Sequence, residues 1–345
     1  MGKEVSEAVS ELDFKIETGT FNRSLANLFV IVIDGFRWHE VFAGADPGLL
    51  NDKKFTPDDS ARHLFSDEQR ESRRKKLLPF FWNVVAARGQ VFGDRTNNSK
   101  VNAVNPYSVS YPGYNELFCG KAGLQPAGNK KGYNRNINVL EYLNEKPSFR
   151  GNIAMFASWN RLPYVLNRKR NRIFMDCGLE EETTDKIILA KNVADRNDKN
   201  AGQPSPETRY DAITYEQAKK FIQQHHPRVA VIVFGEADVQ AHQKRYDLYL
   251  KEANKTDGRI AELWNMIQEA PPYKNNTNLL ITTDHGRGSS RNNWHDHRLF
   301  VRGSSQTWLG LLGPGINSLE LDKQQVYNKE IAGMIARLVG EDFPY

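Results

Sequence analysis

Apolar residues in this chain fall in short unbroken runs. Leu28–Ile33 reads LFVIVI, apolar on both faces, and predicts a strand covered by helices on both sides. Val229–Phe234, Leu279–Thr283 and Trp308–Leu312 predict further buried strands, and Gly151–Ser158 another. Helical signals lie between them. Leu77–Gly89 has Pro79 near its start and Gly89 as its stop. Asn138–Asn144, Thr214–His226 and Asp257–Glu269 read as helices too. Val326–Val339 reads as a closing amphipathic helix, with Ile331, Ile335 and Leu338 on one face and Gly340 as cap. Short apolar strands alternating with helices predict a three-layer α/β/α sandwich around a mainly parallel central sheet. Residues 26–345 are expected to form one domain behind an N-terminal extension at 1–25. Polar stretches at about 44–76 and 160–210 read as surface excursions, and 97–136 reads mostly as loop.

Length and composition narrow the class. A chain of 345 residues suits one large α/β domain or two smaller ones. A hydrophobic share of 39% against 26% charged residues excludes a disordered chain. No apolar run approaches the roughly 20 residues that span a bilayer, so no transmembrane segment is expected. Two cysteines exclude a disulfide scaffold and a cysteine zinc site. The 47 Lys and Arg against 42 Asp and Glu leave +5, too dilute for a nucleic-acid binder, and no nucleic-acid-binding motif stands out. The start, MGKEVSEAVSELDFK, holds no apolar core of a signal peptide. The basic runs Arg70–Lys76 and Arg161–Arg172 read as solvated faces, and oligomeric state has no signature.

Ligands of open α/β sheets bind beyond the carboxyl ends of the strands. Asp34 follows the first strand. Gly235-Glu236-Ala237-Asp238, with His242 after it, follows Val229–Phe234. Asp284-His285-Gly286 follows Leu279–Thr283, and Trp294-His295-Asp296-His297 lies just downstream. Singly, an Asp after a strand is usually a turn or cap residue. Three strand ends carrying such residues together, in a chain with 8 His, point to metal chemistry. Mixed carboxylate and imidazole donors suit zinc, manganese or iron rather than calcium. About six donors exceed one tetrahedral zinc and suit two ions about 4 Å apart. Asp238 and His242 would share one side of a helical turn. The hydroxyl-rich segment Asn105–Tyr114 offers Ser108 and Ser110. A serine held against a metal ion loses its proton more readily and becomes a nucleophile.

The ordered set of Asp34, Ser110-Tyr111-Pro112, Asp238-x-x-x-His242, Asp284-His285-Gly286 and His297 resembles that of the alkaline phosphatase superfamily. It is most similar to the nucleotide pyrophosphatase/phosphodiesterase and phosphoglycerate-mutase-like branches, over residues 28–340. The resemblance implies a hydrolase of phosphate mono- or diesters with two divalent ions, zinc first and manganese second. Asp34, Asp284 and His285 would hold one ion, and Asp238, His242 and His297 the other. Ser110, followed by Tyr111-Pro112, matches the nucleophile and would form a covalent phospho-enzyme. The implied partner is a small anionic phosphoester.

The same comparison weighs the alternatives. Tyr114 stands where sulfatases of the superfamily carry Arg. About 130 residues separate Ser110 from Asp238 and show no second core, which disfavours a mutase or phosphotransferase. A non-catalytic binding protein fits least, because every implied ligand position is filled. Asn115, Asn134 and Asn136 are alternative substrate contacts, since diesterase-type members use an Asn after the nucleophile. Arg287, beside Asp284-His285, is a further substrate candidate. Relatives of this kind are mostly exported, which implies a periplasmic or secreted location with the cytoplasm as alternative. Export would allow Cys119 and Cys177 to pair.

Overall fold

β1 (Asn27–Ile33) is buried along its whole length, and its apolar run serves two cores at once. Phe29, Ile31 and Ile33 join one hydrophobic cluster, and Leu28, Val30 and Val32 join another. Alternate side chains point to opposite faces, so a strand between two helical layers must be apolar throughout. The computed structural model describes residues 23–124, 126–178, 207–322 and 324–344.

The remaining strands in chain order are β2 (Gln90–Phe92), β3 (Lys100–Asn102), β4 (Ile153–Ala157), β5 (Phe174–Cys177), β6 (Val229–Phe234), β7 (Thr277–Thr282), β8 (Gln306–Thr307), β9 (Leu309–Leu312) and β10 (Gln325–Tyr327). Seven of them form one sheet in the order β2-β9-β7-β1-β6-β4-β5, and a small second sheet runs β10-β3-β8. β1 is central. It pairs in parallel with β6, Leu28 opposite Val229, and with β7, Leu28 opposite Asn278. β9 runs antiparallel to β7 and to β2. The architecture is the expected α/β sandwich with a mainly parallel sheet.

Several elements differ from the sequence reading. Residues 44–76 are a helical layer, with helices Pro47–Leu50, Asp59–Phe65 and Arg70–Leu77. Leu49, Leu50, Phe55, Phe65 and Leu77 are buried there, spaced too widely to stand out among the charges. The expected helix 77–89 begins only after Leu78. The buried Asp257 carboxylate accepts from the Phe80 and Phe81 N–H groups at 2.7 and 3.0 Å, and a π-turn spans Phe81–Val85. Asp257–Glu269 is the second half of a helix spanning Tyr246–Glu269, and Gln325–Tyr327 is a strand before the closing helix Ile331–Arg337. Ser110–Cys119, within the expected loop, is a helix with all ten residues buried. Pro112 and Gly113 disguised it. Proline fits a first helical turn, whose N–H groups have no partner within the helix.

In the second polar stretch, Leu162–Val165 is a short helix, and Arg161 is buried and paired with Glu207. Residues 179–206 of that stretch and 1–22 of the N-terminal extension lie outside the described residues. Cys119 and Cys177 are both buried and are not joined by a disulfide. Among the described residues no helix is long and apolar enough to cross a membrane.

Candidate active site

Three neighbouring strands deliver the acidic residues. β7, β1 and β6 are adjacent, and Asp284, Asp34 and the Glu236–His242 helix follow their carboxyl ends. The Ser110–Cys119 helix closes the site from the side. A Cβ on Gly113 would lie 2.7 Å from the Asp284 carbonyl oxygen, so only glycine allows this approach. Glu116, on the same helix, accepts from the backbone N–H of Val104 and Asn105 and from Asn105 Nδ2. Asn105 Oδ1 in turn accepts from the N–H of Ser108, whose φ is +48°. This chain of bonds shapes the loop that delivers Ser110.

Ser110 Oγ lies 3.3 Å from His285 Nε2 and 3.5 Å from Asp34 Oδ1. His285 Nε2 is also 3.5 Å from Asp34 Oδ1 and from Asp284 Oδ2. Asp284 Oδ1 accepts from the Gly35 N–H at 3.0 Å, whereas its buried Oδ2 has no hydrogen-bond partner. On the other side, His242 Nε2 is 3.3 Å from Asp238 Oδ2 and 3.1 Å from His297 Nε2. Asp238, His242 and His297 bring ligand atoms within 4.8 Å of one another, and so do Asp34, Asp238 and His285. The structure thus gathers all seven expected residues, with Asp238 in both groups and Asp284 Oδ2 against His285.

Electrostatics make the gathering costly as it stands. Burial pushes the Asp34 carboxyl up to about 6, against the pull of Tyr114, Arg287, His242 and Ser110. Asp284 is pushed well above the usual carboxylate range, by burial first and by the Asp34 charge second. Burial lowers His285 to about 3 and takes His297 well below its ordinary value. Both imidazoles are therefore neutral at pH 7. His285 Nδ1 lies 2.9 Å from the Gly286 carbonyl and His297 Nδ1 2.9 Å from that of Ser108, so each donates there. The His285 Nε2 lone pair then faces Asp34 and Asp284 oxygens, and that of His297 faces Asp238 Oδ1 and His242 Nε2. Facing lone pairs repel unless a cation lies between them. Histidine ligands of metals commonly fix their second nitrogen on a carbonyl in this way. The donor set fits divalent ions.

The expected substrate contacts lie elsewhere. Asn115 Oδ1 accepts from Asn134 Nδ2 and Asn136 Nδ2, both at 2.8 Å, and Asn115 Nδ2 donates to the Lys121 carbonyl. The three amides satisfy one another, and none lines the cleft over Ser110. Arg287 is buried as well. Its Nε donates to the Gly35 carbonyl at 2.9 Å, its Nη1 to that of His295 at 2.5 Å, and its Nη2 pairs with Asp238. Burial lowers it to about 9, so it stays charged. It ties the turn after β1, the Glu236–His242 helix and the His295 loop together inside the protein.

The cleft over Asp34, Ser110, Asp238 and His242 encloses about 340 Å³ and is walled by Asn129, Trp159 and Thr208 among others. Sequence reasoning missed these three, and also Tyr114, whose Oη donates to Asp34 Oδ2 at 2.9 Å. Reading Ser110–Cys119 as a helix would have placed Tyr114 one turn from Ser110. A third group, the acidic Asp211, Glu236 and Glu252, contributes no lining to this cleft. Asp211 accepts from the Gly235 and Glu236 N–H groups, Glu236 from that of Asp211, and Glu252 pairs with Arg259 and Lys255. That trio locks two helix starts together.

Solved structures share the fold across low sequence identity. Lipoteichoic acid synthase LtaP from Listeria monocytogenes matches with TM-score 0.57 and 8% identity, over 94% of this chain and 74% of that one. Phosphonate monoester hydrolase of Agrobacterium radiobacter matches with TM-score 0.56 and 12% identity, over 91% and 74%. Alkaline phosphatase from the Antarctic bacterium TAB5 matches with TM-score 0.54 and 12% identity, over 94% and 99%. No curated protein matches by sequence. Fold and family together define a phosphoric ester hydrolase of the alkaline phosphatase superfamily. The family model for type I phosphodiesterase/nucleotide pyrophosphatase matches residues 45–330, and the chain belongs to that family. Family and site chemistry together imply dependence on divalent metal.

Proposed function

We propose that the protein hydrolyses small phosphate mono- or diesters, with Ser110 as nucleophile beside a pair of divalent ions. The observation that carries this reading is the convergence of unprotonated donors on one hydroxyl. Asp34 Oδ1 and His285 Nε2 both lie within 3.5 Å of Ser110 Oγ. Asp34, Asp284 and His285 would hold one ion, and Asp238, His242 and His297 the other, with Asp238 within reach of both. Zinc suits this mixture of carboxylate and imidazole best, with manganese second. Two such ions would lower the pKa of the serine hydroxyl and neutralise the phosphoryl oxygens.

Ser110 opens its helix, so a phosphoryl group bound there meets the positive end of the helix dipole. Ser110 Oγ bonds to phosphorus, the bond from phosphorus to the ester oxygen breaks, and the alcohol leaves with a proton. Water then attacks phosphorus, releases phosphate or a monoester, and returns the proton to Ser110 Oγ. Arg287 stays inside the protein and holds Asp238. The cleft beneath Trp159 and Asn129 takes the organic part of the ester.

Ser110→Ala should lose turnover of both p-nitrophenyl phosphate and bis-p-nitrophenyl phosphate by at least about 10³-fold, while metal analysis still finds two ions per chain. Full turnover in that variant would remove Ser110 as nucleophile. The ratio of the two rates in the unaltered enzyme decides between monoester and diester.

A further inference from the structure

Asp34 has one oxygen committed within the protein. Tyr114 Oη donates to Oδ2 at 2.9 Å, whereas Oδ1 lies 3.5 Å from both Ser110 Oγ and His285 Nε2. Tyr114 sits four residues beyond Ser110, one turn along the same helix, so donor and serine move as one body. The Tyr114 ring is fully buried. It stacks on Phe118 at 6.4 Å and lies 6.0 Å from Trp159. Held between two rings, the hydroxyl has little choice of direction. A free carboxylate can rotate and grip an ion with both oxygens. One whose second oxygen accepts a fixed hydrogen bond presents a single oxygen at a set angle.

We propose that Tyr114 is a positioning residue that makes Asp34 a one-oxygen ligand and so sets its ion against Ser110. The proposal rests on the two-ion reading above. It separates the two carboxylates that Tyr114 could reach through the site. Asp284 Oδ1 accepts from the Gly35 N–H and its Oδ2 has no hydrogen-bond partner, so Tyr114 Oη bonds to Asp34 alone.

The test uses the full chain, stripped with chelator and titrated with Zn²⁺ alone by calorimetry. The variants are Tyr114→Phe, Asp34→Asn and the two combined. Wild type should bind two ions. Tyr114→Phe should weaken one by about 10–100-fold and leave the other unchanged, with the melting temperature of the stripped protein moved by only a few degrees. Asp34→Asn should weaken the same ion, and adding Tyr114→Phe should then weaken it no further. Phe118→Leu loosens the seat of the ring and keeps the hydroxyl, so it tests the role without relying on the folding of Tyr114→Phe. It should weaken that one ion by a smaller factor. Wild-type affinity for both ions in Tyr114→Phe overturns the proposal. So does an undiminished further loss in the Asp34→Asn background, or equal weakening of both ions in Phe118→Leu. Wild type binding fewer than two ions is a separate result, which overturns the two-ion reading and the role of Tyr114 with it.

Discussion

Arg287 is the residue where placement changes the meaning most. Its position beside Asp284-His285 suggests a substrate contact, yet its guanidinium is buried and spends its donors on Gly35, His295 and Asp238. Removing one partner of a buried ion pair costs about 3–5 kcal/mol, because the other charge stays buried alone. Arg287→Met should therefore lower unfolding free energy by about that amount in a urea titration at pH 7.5. A stable variant with raised KM alone would return Arg287 to the substrate. The proposed ligands Asp34, Asp238 and Asp284-His285 were legible because each lies just beyond an apolar strand, a pattern that sequence carries directly. Asn115, Asn134 and Asn136 were not, because whether an amide faces a cleft or its own neighbours depends on packing that spacing does not encode.

Asp257 illustrates the same limit for elements. It lies in the middle of the Tyr246–Glu269 helix, yet its carboxylate caps a different helix by accepting from Phe80 and Phe81. Burial raises it to about 7 against the pull of those two hydrogen bonds. The folded protein then keeps a proton that the unfolded chain releases near pH 4. Stability from this group is present at low pH and is lost as pH rises from about 4 to about 7, on the order of 4 kcal/mol in all. The difference in unfolding free energy between wild type and Asp257→Asn should change by that order between pH 4.5 and 7.5. A constant difference would mean that Asp257 stays ionised across the range. The helix near Pro79 was read two residues early and the one at Ser110 as loop, for a common reason. One is capped by a residue nearly 180 positions away, and the other packs its glycine onto the Asp284 backbone.

At the scale of the molecule, the core strands were legible and the layer covering them was only partly so. β1 and β6 are unbroken apolar runs, whereas the helices of 47–77 bury isolated residues between charges. The net +5 also acquires a place. Asp34, Asp238 and Asp284 would share one pocket with Arg287 and two divalent ions, which leaves that pocket positive and suited to an anion. Chelation should therefore destabilise the whole protein. At free metal 100 times the dissociation constant, each ion contributes about 2.7 kcal/mol through binding the folded state alone. A melting temperature that falls with EDTA and recovers with added Zn²⁺ or Mn²⁺ is expected in scanning calorimetry. An unchanged melting temperature would count against resident ions.

The place of β1 between β6 and β7 has a consequence in time. β1 finds its two partners about 200 and 250 residues later in the chain. Pairings of such long range form slowly, since a large loop must close first. During synthesis Asp34 emerges about 200 to 260 residues before its neighbours at 238, 284 and 297. Under the two-ion reading, an ion would meet its full set of donors only once residue 297 has left the ribosome, so metal uptake would follow synthesis of this whole span.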